Sequence, residues 1–264
     1  LTHHQNKKIV RSALENLNKM YGKGKSPSEE AVNRAAEIAE GAFDDETKLA
    51  ALLMLGESKD SSYVELMINT IEETGPGAEN IAIKSIAKLA EIEPSKILYY
   101  LKQGSLVQKM RAADVLRYTK REDVVQPLIE QLKVETERYI QERIIRALGR
   151  EDERAFSALA IQLKYESSIS RISKSKLFPL VVEAIGKTKN PQAVPLLTDI
   201  MERSDISKLI SIFNLRSIFD AFEQLAMKEK TDAVIEKAII DAQPDRKAIL
   251  INALAQSKLS SPEF

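Results

Sequence analysis

The sequence predicts an all-α fold in which antiparallel helix pairs stack into a solenoid. Two stretches of the chain repeat one another, residues 115–132 and residues 184–201. Each runs from an apolar helix end through a polar turn into a second helix that opens near a Val. Such self-similarity is typical of repeat proteins, because a single helix pair cannot bury its apolar face alone and neighbouring pairs must stack.

The end of each first helix is marked by its last apolar residue before a polar turn. These register positions follow one another at roughly 30 residues, a period typical of helical repeats. They are Leu55, Leu89, Leu116, Leu148, Ile185, Leu225 and Leu254. A Val stands nine residues after four of them and fixes the start of the second helix: Val64, Val125, Val194 and Val234. After Leu148 this turn is one residue shorter, and Phe156 takes the place of the Val.

Apolar spacing inside these segments is helical. A first helix carries Ala112, Val115 and Leu116 on one face, and the second helix of that pair carries Val125, Leu128, Ile129 and Leu132. The chain has nine Gly and nine Pro, which fall mostly between helical segments or in first turns. Because the β-branched residues lie within helical spacing, no segment is predicted to be a strand.

Negative charge and polar caps stand where the helices are predicted to begin. The two dense acidic clusters are Asp44-Asp45-Glu46 and Glu151-Asp152-Glu153. Both precede apolar helical segments, where carboxylates satisfy free N–H groups and are favoured by the helix dipole. We therefore interpret them as caps and not as general acids or bases.

Four motifs connect the chain to a known repeat family. They are Asn190-Pro-Gln-Ala-Val-Pro-Leu-Leu, Val125-Gln-Pro-Leu-Ile-Glu-Gln-Leu, Arg146-Ala-Leu-Gly and Ala184-Ile-Gly. In these the chain resembles the HEAT-repeat family, and within it the short HEAT-like units named after phycobilisome lyases. The resemblance covers residues 28–257 and is strongest over residues 110–201. It departs from the family at Arg117 and Tyr118, where Gly or a small residue is common, and in lacking the usual paired Arg residues of the first helices.

The resemblance implies a right-handed α-solenoid of about six to seven helix pairs with second helices lining the concave face. We predict an N-terminal basic helix or arm over residues 1–27, one elongated solenoid domain over 28–257 and a tail over 258–264, whose last two residues are a candidate cloning remnant. The predicted first helix at residues 248–254 lacks a second helix. Either further repeats follow, or another subunit covers this end, so residues 206–257 are the candidate region for self-association.

The residues needed for most catalytic and metal sites are missing. The chain has no Cys, and its only histidines are His3 and His4. Thiolate chemistry, Cys-based zinc sites and Ser-His-Asp catalysis are excluded, and no phosphate-binding loop is present. We therefore predict no catalytic, cofactor or metal site, and a protein that is not an enzyme. HEAT-like DNA glycosylases and phycobilin lyases are the less favoured alternatives; such glycosylases use Trp, which this chain lacks.

Charge and hydropathy bear on partners and location. Lys and Arg balance Asp and Glu at 39 each, but residues 28–75 carry twelve acidic and three basic residues and would suit a basic partner. The basic region 167–189, with Arg171, Lys174 and Lys176 as candidate anion contacts, is the alternative nucleic-acid site. It is disfavoured because its basic loop, residues 168–176, lacks interleaved aromatic residues. The longest apolar run, residues 49–55, is far below the roughly 20 residues of a membrane span. We expect a cytoplasmic protein, or an extracytoplasmic one whose leader has been removed.

The function predicted from these observations is a non-catalytic protein-binding scaffold. Side chains one and five residues after each buried Val should face outward from the second helices. The candidate partner-binding residues at these positions are Glu65, Asn69, Gln126, Glu130 and Asp199. Tyr99 and Tyr100 are added because adjacent helical residues point about 100° apart, so that one ring enters the core while the other meets solvent. Exposed aromatic side chains of this kind are favoured binding hot spots.

Overall fold

The computed structural model describes residues 3–21, 26–41, 43–71, 79–168, 175–202 and 212–226, together with residues 236–237, 240, 247–248 and 251. Over these residues the chain is helical apart from turns and short connections, and it contains no strand. The predicted all-α class is confirmed. The chain divides into two compact units, Leu1–Val124 and Val125–Phe264, here called the N-terminal unit and the C-terminal unit.

Alternate helices of the N-terminal unit pack against one another in two rows. The helices are α1 His3–Tyr21, α2 Glu29–Glu40, α3 Asp45–Glu57, α4 Val64–Thr70, α5 Glu79–Ile92, α6 Ser95–Gln103 and α7 Leu106–Tyr118, with a 3₁₀ turn at Ser61–Tyr63. One row runs α1, α3, α5, α7 and the other α2, α4, α6. This order is compatible with stacked helix pairs.

The C-terminal unit repeats the arrangement. Its helices are α8 Val125–Val134, α9 Arg138–Leu148, α10 Glu153–Glu166, α11 Leu177–Lys187, α12 Ala193–Glu202 and α13 Ile212–Ala226. One row consists of α9, α11 and α13, and the other of α8, α10 and α12. Within each unit the contacts between neighbouring helices are therefore compatible with a helical solenoid. The right-handed twist stays a prediction.

The predicted register marks the ends of the first helices correctly. Five of the seven marks lie within the last three residues of α3, α7, α9, α11 and α13, and Leu89 is the fourth residue from the end of α5. All six side chains are buried. Val64, Val125 and Val194 are fully buried near the starts of α4, α8 and α12, and Phe156 is buried on α10. Leu254 and Val234 lie outside the described residues.

The N-terminal basic segment packs against the rest of its unit as α1. Asn18 Nδ2 donates a hydrogen bond to the carbonyl oxygen of Ala50 on α3, at 2.8 Å. Arg11 pairs with Glu46 at the start of α3. At the other end of the chain, the tail 258–264 and most of the region 206–257 predicted for self-association lie outside the described residues.

Neighbouring first helices approach so closely that only small residues fit. A Cβ placed on Gly56 of α3 would lie 2.8 Å from the carbonyl oxygen and 3.0 Å from the Cβ of Ser85 on α5. A Cβ on Gly186 of α11 would lie 2.9 Å from the Cα of Ala221 on α13. Both glycines directly follow a register mark, so the end of a first helix is a crossing point in each unit.

The helices begin at the caps that the sequence predicts. Ser28 accepts a hydrogen bond from the N–H of Ala31, and Asp44 accepts one from the N–H of Thr47. Asp152 accepts from the N–H groups of Arg154 and Ala155 at the start of α10. The interpretation of the two acidic clusters as helix caps is confirmed for Asp44 and Asp152.

Replacing Gly56 with Ala tests the close approach of α3 and α5. Ala is a better helix former than Gly by about 1 kcal/mol, yet its Cβ would overlap Ser85. We expect Gly56→Ala to lower the free energy of unfolding by about 1–3 kcal/mol, as measured by urea denaturation followed by circular dichroism. In a Ser85→Gly background the same substitution should lower the free energy of unfolding by less, because the Ser85 side chain is gone. An equal loss in both backgrounds would show that Gly56 and Ser85 are not in close contact.

The cap of α10 predicts an acid-dependent contribution to stability. Hydrogen bonds from the Arg154 guanidinium, and then from backbone N–H groups, lower the pKa of Asp152 from its ordinary value of 3.8. Because the folded pKa is the lower one, the stabilisation is fully present above pH of about 4 and is lost as the pH falls through the folded pKa. We expect Asp152→Ala to lower the free energy of unfolding by about 1 kcal/mol at neutral pH. When urea unfolding is repeated at each pH, this difference between wild type and Asp152→Ala should disappear in acid.

The neighbouring carboxylate supplies the control for this measurement. Glu153 is exposed in the first turn of α10 and is not the N-cap residue. Glu153→Ala should therefore cost less than Asp152→Ala at neutral pH. A gap between wild type and Asp152→Ala that stays constant down to strongly acidic pH would show that the Asp152 carboxylate does not stabilise the folded state.

Candidate partner-binding surfaces

The predicted surface residues of the second helices are all exposed. Glu65 and Asn69 lie on α4, Gln126 and Glu130 on α8, and Asp199 on α12. Each follows a fully buried Val by one or five residues, and this spacing places them on the helix face opposite the core. Their exposure is confirmed, while their role in binding stays a prediction.

Tyr99 and Tyr100 divide between solvent and core on α6. Tyr99 is 61% exposed and Tyr100 is 9% exposed. Their ring centroids lie 5.5 Å apart with the ring planes at 80°, an edge-to-face arrangement. The predicted division of the two rings is confirmed.

Of the other predicted residues in the N-terminal unit, Glu65 contacts the Tyr100 side chain and Asn69 lies one turn further along α4. The Tyr100 hydroxyl hydrogen-bonds the Glu65 carboxylate; burial, followed by the charge of Glu65, raises the pKa of Tyr100 above its ordinary value. Asn69, one turn after Glu65 on α4, accepts a hydrogen bond of 2.9 Å from the side-chain amide of Gln108 on α7. We call Glu65, Asn69, Tyr99 and Tyr100 the tyrosine patch.

Carboxylates dominate the exposed surface of α2, which packs against α4, whereas α6 carries Lys96 and Lys102 and no carboxylate. The exposed acidic residues of α2 are Glu29, Glu30, Glu37 and Glu40, and its one exposed cation, Arg34, donates a 2.5 Å hydrogen bond to Glu37. The Tyr63 hydroxyl donates to Asn33 Oδ1 at 3.1 Å and links α2 to the segment before α4. On α6, Lys96 interacts electrostatically with Asp60 and Glu93. Negative charge is therefore in excess on α2 and α4.

In the C-terminal unit the predicted residues lie on α8 and α12, on either side of α10, which carries exposed side chains that were not predicted. Gln126 donates a hydrogen bond of 3.2 Å to Glu130 on α8, Asp199 lies on α12, and α10 contacts both helices. On α10, Ile161 is 68% exposed and Tyr165 is 51% exposed. Ile161 stands five residues after Phe156, which takes the place of the buried Val in this repeat. The spacing that predicts outward positions from the Val residues therefore predicts Ile161 as well.

A cleft of about 810 Å³ adjoins these two side chains. It is lined by the end of α8, the first turns of α9, the last turns of α10 and the start of α11. Two buried carboxylates on its wall are held by donors of the chain itself. Glu135 accepts from Gln131 Nε2 at 2.9 Å and from the N–H groups of Thr136 and Glu137 at 3.0 Å. Glu166 accepts from Gln162 Nε2 at 3.1 Å and from the Ser175 hydroxyl.

The basic region of the alternative nucleic-acid site is only partly described. Arg171 and Lys174 lie outside the described residues, and Lys176 is exposed just before α11. Lys187 pairs with Glu183, and Lys189 Nζ lies 2.6 Å from a carboxylate oxygen of Glu151. Two of the five cations in this region are thus neutralised by carboxylates of the same unit.

The described residues contain no cluster of three or more His, Cys, Asp and Glu side chains suited to a metal ion. None of the described helices combines the length and apolar character of a membrane span. No protein-family model and no curated protein matches the chain. The resemblance to HEAT repeats therefore rests on the sequence motifs alone.

Proposed function

We propose that this chain is a non-catalytic scaffold that binds a protein partner through the tyrosine patch and the acidic surface of α2 and α4. The observation that carries the proposal is Tyr99, whose ring is more than half exposed and makes an edge-to-face contact with the buried ring of Tyr100. An exposed aromatic side chain supported by another ring is typical of a binding hot spot.

Preorganisation is the first argument. Tyr100 is buried and bonded to Glu65, so the surface against which Tyr99 packs is fixed. Tyr99 then loses little side-chain entropy when a partner covers it, because its ring already has one defined support. Rigid aromatic side chains supply contact area at low entropic cost.

Charge is the second argument. The exposed carboxylates of α2 lie on the helix that packs against α4, which carries Glu65 of the tyrosine patch, and these carboxylates are here called the acidic row. A basic partner segment would be attracted to this row, and its Arg or Lys side chains can stack on the Tyr99 ring. We therefore propose a basic segment as the partner of the tyrosine patch.

The non-catalytic part of the proposal rests on the buried carboxylates. Glu135 and Glu166 are the acidic groups on the wall of the cleft, and each accepts hydrogen bonds from donors that close local turns. A general acid or base needs a free lone pair or proton directed at a substrate. Both side chains are better explained as structural supports of the connections before α9 and α11.

Replacing Tyr99 tests the proposal in an affinity capture from source-cell extract with mass spectrometry. We expect a protein to be recovered with wild type and to be lost with Tyr99→Ala, because removal of a hot-spot side chain weakens binding by about 30-fold or more. The matched control is Tyr139→Ala, since Tyr139 is 62% exposed but lies on the first helix α9. Tyr139→Ala should retain the partner.

Nuclease and salt arms distinguish the two partner classes. Recovery that survives nuclease treatment supports a protein partner, whereas recovery that is abolished by nuclease and falls steeply with salt would replace it with nucleic acid bound by the region 167–189. Equal recovery with wild type and Tyr99→Ala would remove the tyrosine patch from the proposal.

A further inference from the structure

One arginine at the cleft has hydrogen-bond donors without an acceptor. Arg138 is the first residue of α9 and lines the cleft of the C-terminal unit. Its Nε and Nη2 atoms are covered from solvent and have no hydrogen-bond partner. The closest carboxylate recorded for it, that of Glu142, lies 3.6 Å from Nε, which is beyond hydrogen-bond distance.

Two other arginines of the chain place the same edge of the guanidinium on a carboxylate. Arg121 donates from Nε at 2.9 Å and from Nη2 at 2.6 Å to the two oxygens of Asp123. Arg154 donates from Nε at 3.2 Å and from Nη2 at 2.6 Å to the two oxygens of Asp152. This paired geometry is the preferred one between arginine and a carboxylate. Arg138 has the same donor edge, but the Glu142 carboxylate beside it, at 3.6 Å from Nε, accepts no hydrogen bond from that edge.

The other charged groups of the cleft supply no acceptor to this donor edge. Glu135 and Glu166 are already engaged by donors of the chain. Lys133, also in the lining, is exposed and adds a second positive charge. The Arg138 side chain is 42% exposed, so rotation about its terminal torsions can turn the unpaired edge toward the cleft.

An apolar surface lies beside the two cations. Ile161 and Tyr165 are one turn apart on α10 and are both exposed, and Leu132 and Leu177 belong to the same lining. A volume of about 810 Å³ is within the range of sites that enclose a small ligand or a few residues of a peptide. Exposed apolar side chains next to an unpaired charge suit a ligand that is both apolar and anionic.

We propose that the cleft binds a protein segment in which a carboxylate adjoins a large apolar side chain. The carboxylate pairs with the Nε and Nη2 edge of Arg138, and the apolar side chain covers Ile161 and Tyr165. The carboxylate comes either from an Asp or Glu side chain or from the end of a chain. This inference rests on the proposed scaffold function, but it concerns a second surface whose partner has the opposite charge to that of the tyrosine patch.

Peptide selection on the full chain tests this directly. One library of random peptides is displayed with the C-terminus fused and the other with the C-terminus free, and enriched peptides are synthesised for fluorescence-anisotropy titration. We expect the peptides enriched from the first library to contain Asp or Glu beside Leu, Ile, Phe or Trp, or those enriched from the second to end in an apolar residue. Either result supports the cleft, and the library that yields the tighter peptides identifies the source of the carboxylate.

Variants decide whether the peptides use Arg138. Arg138→Gln should weaken binding by about 30-fold, because it removes one member of a desolvated charge pair. Ile161→Ser should weaken it by about tenfold. The matched control is Arg146→Gln, an exposed arginine on the same helix, which should leave affinity unchanged, and circular dichroism checks that every variant folds. Glu142→Gln should tighten binding, since it removes the carboxylate nearest the donor edge; a purely structural Arg138 would not give this gain.

The cleft site and the tyrosine patch can fail independently of each other. No enriched peptide, peptides without a carboxylate, or equal affinity for wild type and Arg138→Gln would each refute the cleft site. Tyr99→Ala should leave the peptide affinity unchanged. If the cleft fails while the captured partner still depends on Tyr99, the scaffold function stands and only the cleft is lost.

Discussion

The approach of neighbouring first helices to within backbone contact is the constraint on which the rest of each unit depends. Gly56 of α3 lies against Ser85 of α5, whose hydroxyl donates to the carbonyl oxygen of Leu52 at 3.1 Å. Gly186 of α11 lies against Ala221 of α13 in the same way. Such close contact fixes the spacing between helix pairs, and it places the leucines and isoleucines of the register in one continuous core within each unit.

A core fixed by the first row leaves the outer faces of the second helices available for binding. The second helices pack against this row, as α2 does on α3 and α10 on α11. Arg111 of α7 adds a hydrogen bond of 2.5 Å from Nη1 to the carbonyl oxygen of Ile68 near the end of α4. Exposed positions such as Ile161 lie outside this core and can change without disturbing it. This explains how one repeat can carry an acidic aromatic surface in one unit and an apolar, cationic cleft in the other.

The register, the caps and the outward positions could be predicted because each depends on residues close in sequence. Asp44 and Asp152 cap helices that begin one residue later, and Glu65 is exposed because Val64 is buried. The cleft could not be predicted in this way. It is formed where the end of α8 meets α10 and α11, and its wall depends on contacts such as that of Ser175 with Glu166, across a connection whose length varies between repeats.

The cleft of the C-terminal unit contains charged donor atoms that have no hydrogen-bond partner. Among the described residues, the buried side-chain atoms without a hydrogen-bond partner include single amide oxygens of Asn18 and Gln224. Such acceptors are tolerated more readily than unpaired donors. Arg138 has two charged donor atoms without a hydrogen-bond partner on one side chain, and an unmade hydrogen bond is more costly for a charged group than for a neutral one. Since Glu135 and Glu166 are held by other donors and Glu142 lies beyond hydrogen-bond distance, the proposed carboxylate from outside the chain would remove this deficit.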